Sequence, residues 1–91
     1  MSGRLVDELR AQISALDREV LDALNRRLEL VARLKHHKEE TGLAFLDPER
    51  ERQMLAELRA ANVGPLSDEG VEVLLRALLD LTKAELEGRT A

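Results

Sequence analysis

Apolar residues return along the first part of the chain in steps of three and four: Leu9, Ile13, Leu16, Val20, Leu24, Val31 and Leu34. That rhythm puts them on one face of an α-helix, because side chains three or four residues apart stack on the same side of a 3.6-residue turn. From Arg4 to Glu40 there is neither Gly nor Pro, and strong helix formers dominate. Thr41-Gly42 supplies the stop, with Gly42 suited to the left-handed backbone that follows a last helical turn. The spacing predicts one helix of about 35 residues, roughly 50 Å long at 1.5 Å per residue.

Residues 43–46 read as a short linker. Asp47-Pro48-Glu49 then has the order of a helix start, with Asp as N-cap, Pro at the first helical position and an acid in the first turn. A second helix runs to about Ala61, with Met54, Leu55 and Leu58 apolar, and Asn62-Val63-Gly64-Pro65 breaks it. Ser67 is a good N-cap for a third helix from Asp68 to about Glu87, with Gly88 beyond its end. The chain therefore reads as a single all-α domain over residues 1–91, with long, short and medium helices.

The first helix is too long for this plan to bury. Helices of about 14 and 20 residues cover only part of so extended an apolar stripe, and a second copy of the chain is the simplest cover. A coiled coil is the alternative. Arg27 interrupts the heptad stripe, and the other two helices are amphipathic as well, which argues for an intertwined helical homodimer instead.

Composition narrows the picture. Of the 91 residues, 44% are hydrophobic and 35% charged, which suits a globular helical protein rather than a disordered one. Phe45 is the lone aromatic, so the core must be aliphatic. Cysteine is absent, which excludes disulfides, thiolate metal sites and a thiol nucleophile. No apolar run reaches signal-peptide or membrane length, and the expectation is a cytoplasmic protein without membrane association. The net charge of −4 means that any anion site must be a local cluster of cations.

Such cations occur where the stripe calls for apolar residues. Arg27 follows Val20 by seven and precedes Val31 by four, and Lys38 follows Leu34 by four. The two share the inward face three turns apart, with Cα atoms roughly 16 Å from each other, so long side chains reaching together could hold one small anion. Arg50, four before Met54, falls on the expected buried side of the second helix. Burying cations without partners is costly, so this face implies a buried anion or acid. The competing reading has these side chains snorkel to the surface or pair with Glu residues. Arg10 lies about 25 Å along the helix from Arg27 and could reach the same anion only from an antiparallel partner helix.

Other chemistries fit less well. His36 and His37 are adjacent and diverge by about 100° on a helix, and the His36–Glu40 spacing alone makes a weak metal site. No Ser-His-Asp arrangement, phosphate loop or nucleotide fingerprint is present. The basic runs Arg26-Arg27 and Lys35-His36-His37-Lys38 come without stacking aromatics on an acidic chain, which argues against nucleic acid. A helical interaction module without catalysis remains the rival reading.

The run from Leu9-Arg10 through Ile13 to Leu16-Asp17 resembles the opening signature of the all-α chorismate mutases. Arg27, Lys38 and Asp47-Pro48-Glu49-Arg50-Glu51-Arg52 follow at that family's intervals. The resemblance covers about 80 residues and implies a cofactor-free isomerase that turns chorismate into prephenate in two equivalent sites of a helix-swapped dimer. It implies that Arg27, with Arg10 of the other chain, binds the two substrate carboxylates. Lys38 would donate to the ether oxygen and a carboxylate, and Glu51 would take the ring hydroxyl. Arg50 and Asp47 would support the pocket.

On the third helix the family carries a Ser and, four residues later, a Gln that donates to the ether oxygen. Aligning the stripe Val71, Leu74, Leu75, Leu78 and Leu79 puts Thr82 and Leu86 at those positions. Sliding by one residue puts Leu81 and Glu85 there, and a Glu donates only when protonated. The first register buries the helix better. Losing the Gln leaves open an activating partner enzyme of the shikimate pathway, or a substrate related to chorismate such as 4-amino-4-deoxychorismate or isochorismate.

Overall fold

A computed structural model describes residues 2–42 and 47–87. The expected linker 43–46 and Gly88 lie outside the described residues. Three helices follow in order: α1 (Ser2–Thr41), α2 (Pro48–Ala61) and α3 (Asp68–Leu86). No strand occurs among the described residues. Forty residues of α1 extend to about 60 Å at 1.5 Å per residue.

The helix ends are built by the residues expected from local chemistry. Gly42, just past α1, takes a φ of 75°, a left-handed conformation that costs glycine little and other residues more. Asp47 caps α2 by accepting a hydrogen bond from the Arg50 amide at 3.1 Å, and Pro48 opens the helix. Ser67 caps α3 by accepting from the Gly70 amide at 3.0 Å. Between them Asn62 closes the turn: its side-chain amide donates to the Leu66 carbonyl at 2.7 Å and its side-chain oxygen accepts from the Gly64 amide at 3.1 Å. Gly70 lets Leu66 fold across the first turn of α3, since a Cβ there would stand 2.6 Å from the Leu66 Cδ1.

The chain divides into two units, Met1–Arg33 and Leu34–Ala91. The first is the greater part of α1. Leu5, Val6, Leu9, Ile13, Leu16 and Val20 span an arc of about 100° on it, and they are 41–59% exposed. In the second unit α2 packs on α3. Val71 and Leu75 of α3 are its buried apolar residues, at 3% and 4% exposure, with Met54 and Leu55 of α2 half-buried. Arg59 of α2 and Arg76 of α3 both reach Glu72, at 3.0 and 3.4 Å, and tie the pair together at the rim.

Ser67→Ala should destabilise the chain by about 1 kcal/mol, because it leaves the Gly70 amide without its cap. Ser67→Asp should be close to neutral. Urea unfolding followed by helical circular dichroism at fixed protein concentration checks both.

Candidate functional site

The sequence places eight residues at a prospective anion site, and the two units divide them. Arg10 and Arg27 belong to Met1–Arg33; Lys38, Asp47, Arg50, Glu51, Thr82 and Leu86 belong to Leu34–Ala91.

In the first unit Arg27 is half-buried, on a helix whose other half-buried residues there are Leu24, Leu28 and Val31. Its neighbour Arg26 is exposed, which fits the reading that chose Arg27 as the inward member of the pair. Arg10 is exposed and is flanked at i−4 and i+3 by Val6 and Ile13. It therefore stands at the border of the uncovered apolar face.

In the second unit Lys38 is half-buried. Leu34, expected to share its face, is 48% exposed, and Lys35 is half-buried instead. The two turns from Val31 to Lys38 are divided as four and three rather than three and four. The Lys35 ammonium donates to the Leu86 carbonyl at 3.3 Å. Sequence reasoning passed over Lys35, although its spacing from Val31 and Lys38 is as good as that of Leu34. Neither Lys35 nor Lys38 has a carboxylate partner among the described residues.

Asp47 is committed to the α2 cap, and the Glu51 amide makes that helix's first backbone bond, to the Asp47 carbonyl at 3.1 Å. The cap fixes the direction in which Arg50 and Glu51 leave the helix. Arg50, expected on the buried side, is exposed and lies 3.8 Å from Glu57. That pair is loose and solvated and adds little to stability. Glu51, with Arg52, Glu72 and Arg76, rims a cleft of about 160 Å³ over Leu75 and Leu79. Of the eight anticipated residues, Glu51 is the one that reaches this cleft.

On α3, Thr82 is buried, at 8% exposure, Leu86 is half-buried and Glu85 is exposed. Those burials follow the stripe that aligned Thr82 and Leu86. The Thr82 hydroxyl donates to the Leu78 carbonyl at 2.6 Å, so its hydrogen is spent on its own helix. The Arg59–Glu72–Arg76 cluster was not legible in the sequence, since neither spacing nor composition reveals a pair bridging two helices. The Arg59 Nε is buried without a hydrogen-bond partner.

For metal chemistry the residues offer little: among those described, no group of three His, Cys, Asp or Glu is placed to hold an ion. His36 instead lies 2.8 Å from Glu40 on the exposed side of α1. No helix among the described residues is long and apolar enough to cross a membrane. What the arrangement can do is present cations to an anion from a largely aliphatic helix face.

Thr82→Val should change stability by less than about 1 kcal/mol, because the Leu78 carbonyl keeps its backbone donor when the hydroxyl is removed. Thermal unfolding of the two proteins side by side measures this.

Comparison with known proteins gives a consistent result. The profile of the family "Chorismate mutase type II" matches residues 9–87. The T-protein of Enterobacter agglomerans is 40% identical over 79 residues, which are 85% of this chain and 21% of that protein. The T-protein of Haemophilus influenzae is 37% identical over 73 residues, 79% of this chain and 19% of that protein. The chain thus spans about a fifth of the length of the curated relatives it matches. Among solved structures, chorismate mutase from Thermus thermophilus is 35% identical in two crystal forms. Form I has a TM-score of 0.82 and covers 85% of this chain and 96% of its own. Form II has a TM-score of 0.85, with 93% and 96% covered.

Proposed function

The chain belongs to the chorismate mutase type II family, and on that premise we propose that it converts chorismate to prephenate in cationic pockets shared between two copies of the chain. The observation that carries this reading is the pair of half-buried cations, Arg27 and Lys38, on a helix face otherwise made of Leu and Val. A half-buried cation loses hydration that a carboxylate ligand restores.

The reaction asks for what these residues supply. In the Claisen rearrangement a carbon–carbon bond forms between the enolpyruvyl methylene and the ring while the ether carbon–oxygen bond breaks. No proton, electron or leaving group passes to the protein. The barrier falls when the enolpyruvyl group is held over the ring, which is an orientation task. It falls further when positive charge waits where the ether oxygen becomes electron-rich. Arg27 and Arg10 of the second copy hold the two carboxylates, Lys38 serves the ether oxygen, and Glu51 accepts from the ring hydroxyl. Asp47 and Arg50 at the start of α2 support the pocket, and Thr82 and Leu86 form its α3 wall.

The shared site follows from α1. Arg10 borders an apolar face that is 41–59% exposed in the single chain, and an antiparallel second α1 covers that face while bringing its own Arg10 toward Arg27. The donorless side chain of Leu86 supports a second reading on the same fold, a related substrate such as isochorismate or 4-amino-4-deoxychorismate, or an enzyme whose full activity needs a partner.

Purified protein should consume chorismate above the spontaneous rate, followed by loss of substrate absorbance, and Arg27→Ala should lower kcat/KM by about 100-fold or more. Turnover confined to isochorismate or the amino analogue would move the assignment to the second reading, and activity appearing only with an added partner enzyme would mark a partner-dependent mutase. Arg10→Ala and Arg27→Ala chains, each inactive alone, should regain activity after subunit exchange. One site of the mixed dimer then collects both defects and the other is whole. No recovery after exchange has been demonstrated by mass would sink the shared site.

A further inference from the structure

We infer that Lys35 is a second catalytic ammonium of this site, which takes the place of a side-chain donor that α3 does not provide; the inference rests on the mutase reading above. The wall presented by the carboxyl-terminal half of α3 is made of Leu78, Leu79, Leu81, Thr82, Ala84 and Leu86, the residues there that are buried or half-buried. Thr82 is the one member able to donate a hydrogen bond from its side chain, and its hydroxyl is already engaged with the Leu78 carbonyl at 2.6 Å. An oxygen that gains negative charge against this wall would meet hydrocarbon and a spent hydroxyl.

Lys35 fills that gap from the neighbouring helix. Its ammonium stands 3.3 Å from the Leu86 carbonyl, in a partly buried position. Leu86 ends α3, so its carbonyl has no partner within the helix and lies at the negative end of the helix dipole. An ammonium has three hydrogens. One is used on the carbonyl, and two remain for a ligand. Lys38 follows by three residues, so the two side chains rise from adjacent turns of one helix face. Both are half-buried, and neither has a carboxylate partner among the described residues. Two like charges held side by side and partly desolvated repel each other until an anion joins them. A dicarboxylate with an ether oxygen between its charged ends is such an anion.

The rival role for Lys35 is purely structural, a cap on the end of α3 that touches no substrate. A double-mutant cycle separates the two. If Lys35 is the donor that α3 lacks, Lys35→Met should lower kcat by about 10- to 100-fold with a smaller effect on KM. Lys35→Arg should keep most of the activity. In a Leu86→Gln background, where an amide can donate from α3, the same Lys35→Met change should cost about threefold or less. Melting temperature and helical circular dichroism are recorded for every variant. Equal losses in the two backgrounds, or no loss in either, overturn the inference. Leu86→Gln alone gives an independent reading with Lys35 untouched. It should raise kcat by no more than about threefold because the position is already served, and a gain of tenfold or more overturns the inference. A wild-type chain with no mutase activity would remove the proposed function and this inference together. An active wild type that is indifferent to Lys35→Met removes the inference alone.

Discussion

The constraint on which everything else depends is the uncovered apolar face of α1. Leu5, Val6, Leu9, Ile13, Leu16 and Val20 occupy one side of a helix that ends only at Thr41, and each keeps 41–59% of its surface in contact with solvent in the single chain. Covering a half-exposed aliphatic side chain of this size is worth roughly 1 kcal/mol, and a second copy would gain the same amount again. A patch of this kind on a monomer marks a surface awaiting a partner. The same face decides where Arg10 can act. Because Arg10 lies on its border rather than its centre, it would remain at the edge of a helix–helix seam, where its stem can be covered while its guanidinium stays available to a ligand. Assembly and substrate binding are then one requirement expressed by one stripe.

A second thread is the distribution of acids. On the half-buried stripe of α1, Leu24, Arg27, Leu28, Val31, Lys35 and Lys38 include no carboxylate. The acids of the second unit lie elsewhere: Glu57 beside Arg50 at 3.8 Å, Glu72 between Arg59 and Arg76, and Glu49 beside Arg52. The cations paired to these acids are the structural ones, and they stand at or near the solvent, where such pairs are weak. The lysines left without acids are on the helix face proposed to meet substrate. A built-in carboxylate would compete with the ligand, whereas unpaired ammoniums keep their charge for it. The cost is a less comfortable empty state, and a bound dicarboxylate offsets that cost through charge-assisted hydrogen bonds.

Which features were legible in the sequence depended on how local their causes are. Gly42, Asp47, Pro48 and Ser67 act within one turn of chain, and their capping roles follow from side-chain chemistry alone. The choice of Arg27 over Arg26 and of Thr82 over Leu81 followed the apolar period, and the observed burial has the same phase. The period failed by one residue near the end of α1, where Leu34 was expected inward and Lys35 is half-buried. Steps of three and four are equally helical, so the pattern cannot choose between neighbours once both flank the same line. Arg50 failed for another reason. Its spacing from Met54 put it on the inward side, but a side chain in the first turn of α2 has open solvent beside it, and it extends toward Glu57 instead. The Arg59–Glu72–Arg76 cluster joins two helices, and no one-dimensional pattern encodes that.

The one-residue difference at Leu34 and Lys35 bears on mechanism as well as on packing. A leucine facing inward there would have extended the aliphatic wall to the end of α3 and left Lys38 as the lone cation near it. With Lys35 facing inward, the end of α3 acquires a positive charge, seated on a carbonyl that would otherwise lack a partner. The carbonyl also restrains the ammonium. A lysine side chain is flexible and loses considerable rotamer freedom when it is held in one place, and a hydrogen bond that already fixes it in the empty chain means less is lost when substrate arrives. That is preorganisation in the sense that matters for a rearrangement without proton transfer, where the protein contributes by having its charge in place before the bond breaks. A site can therefore lack a polar side chain on one helix and remain electrostatically complete, provided the adjacent helix supplies the donor and the first helix holds it still.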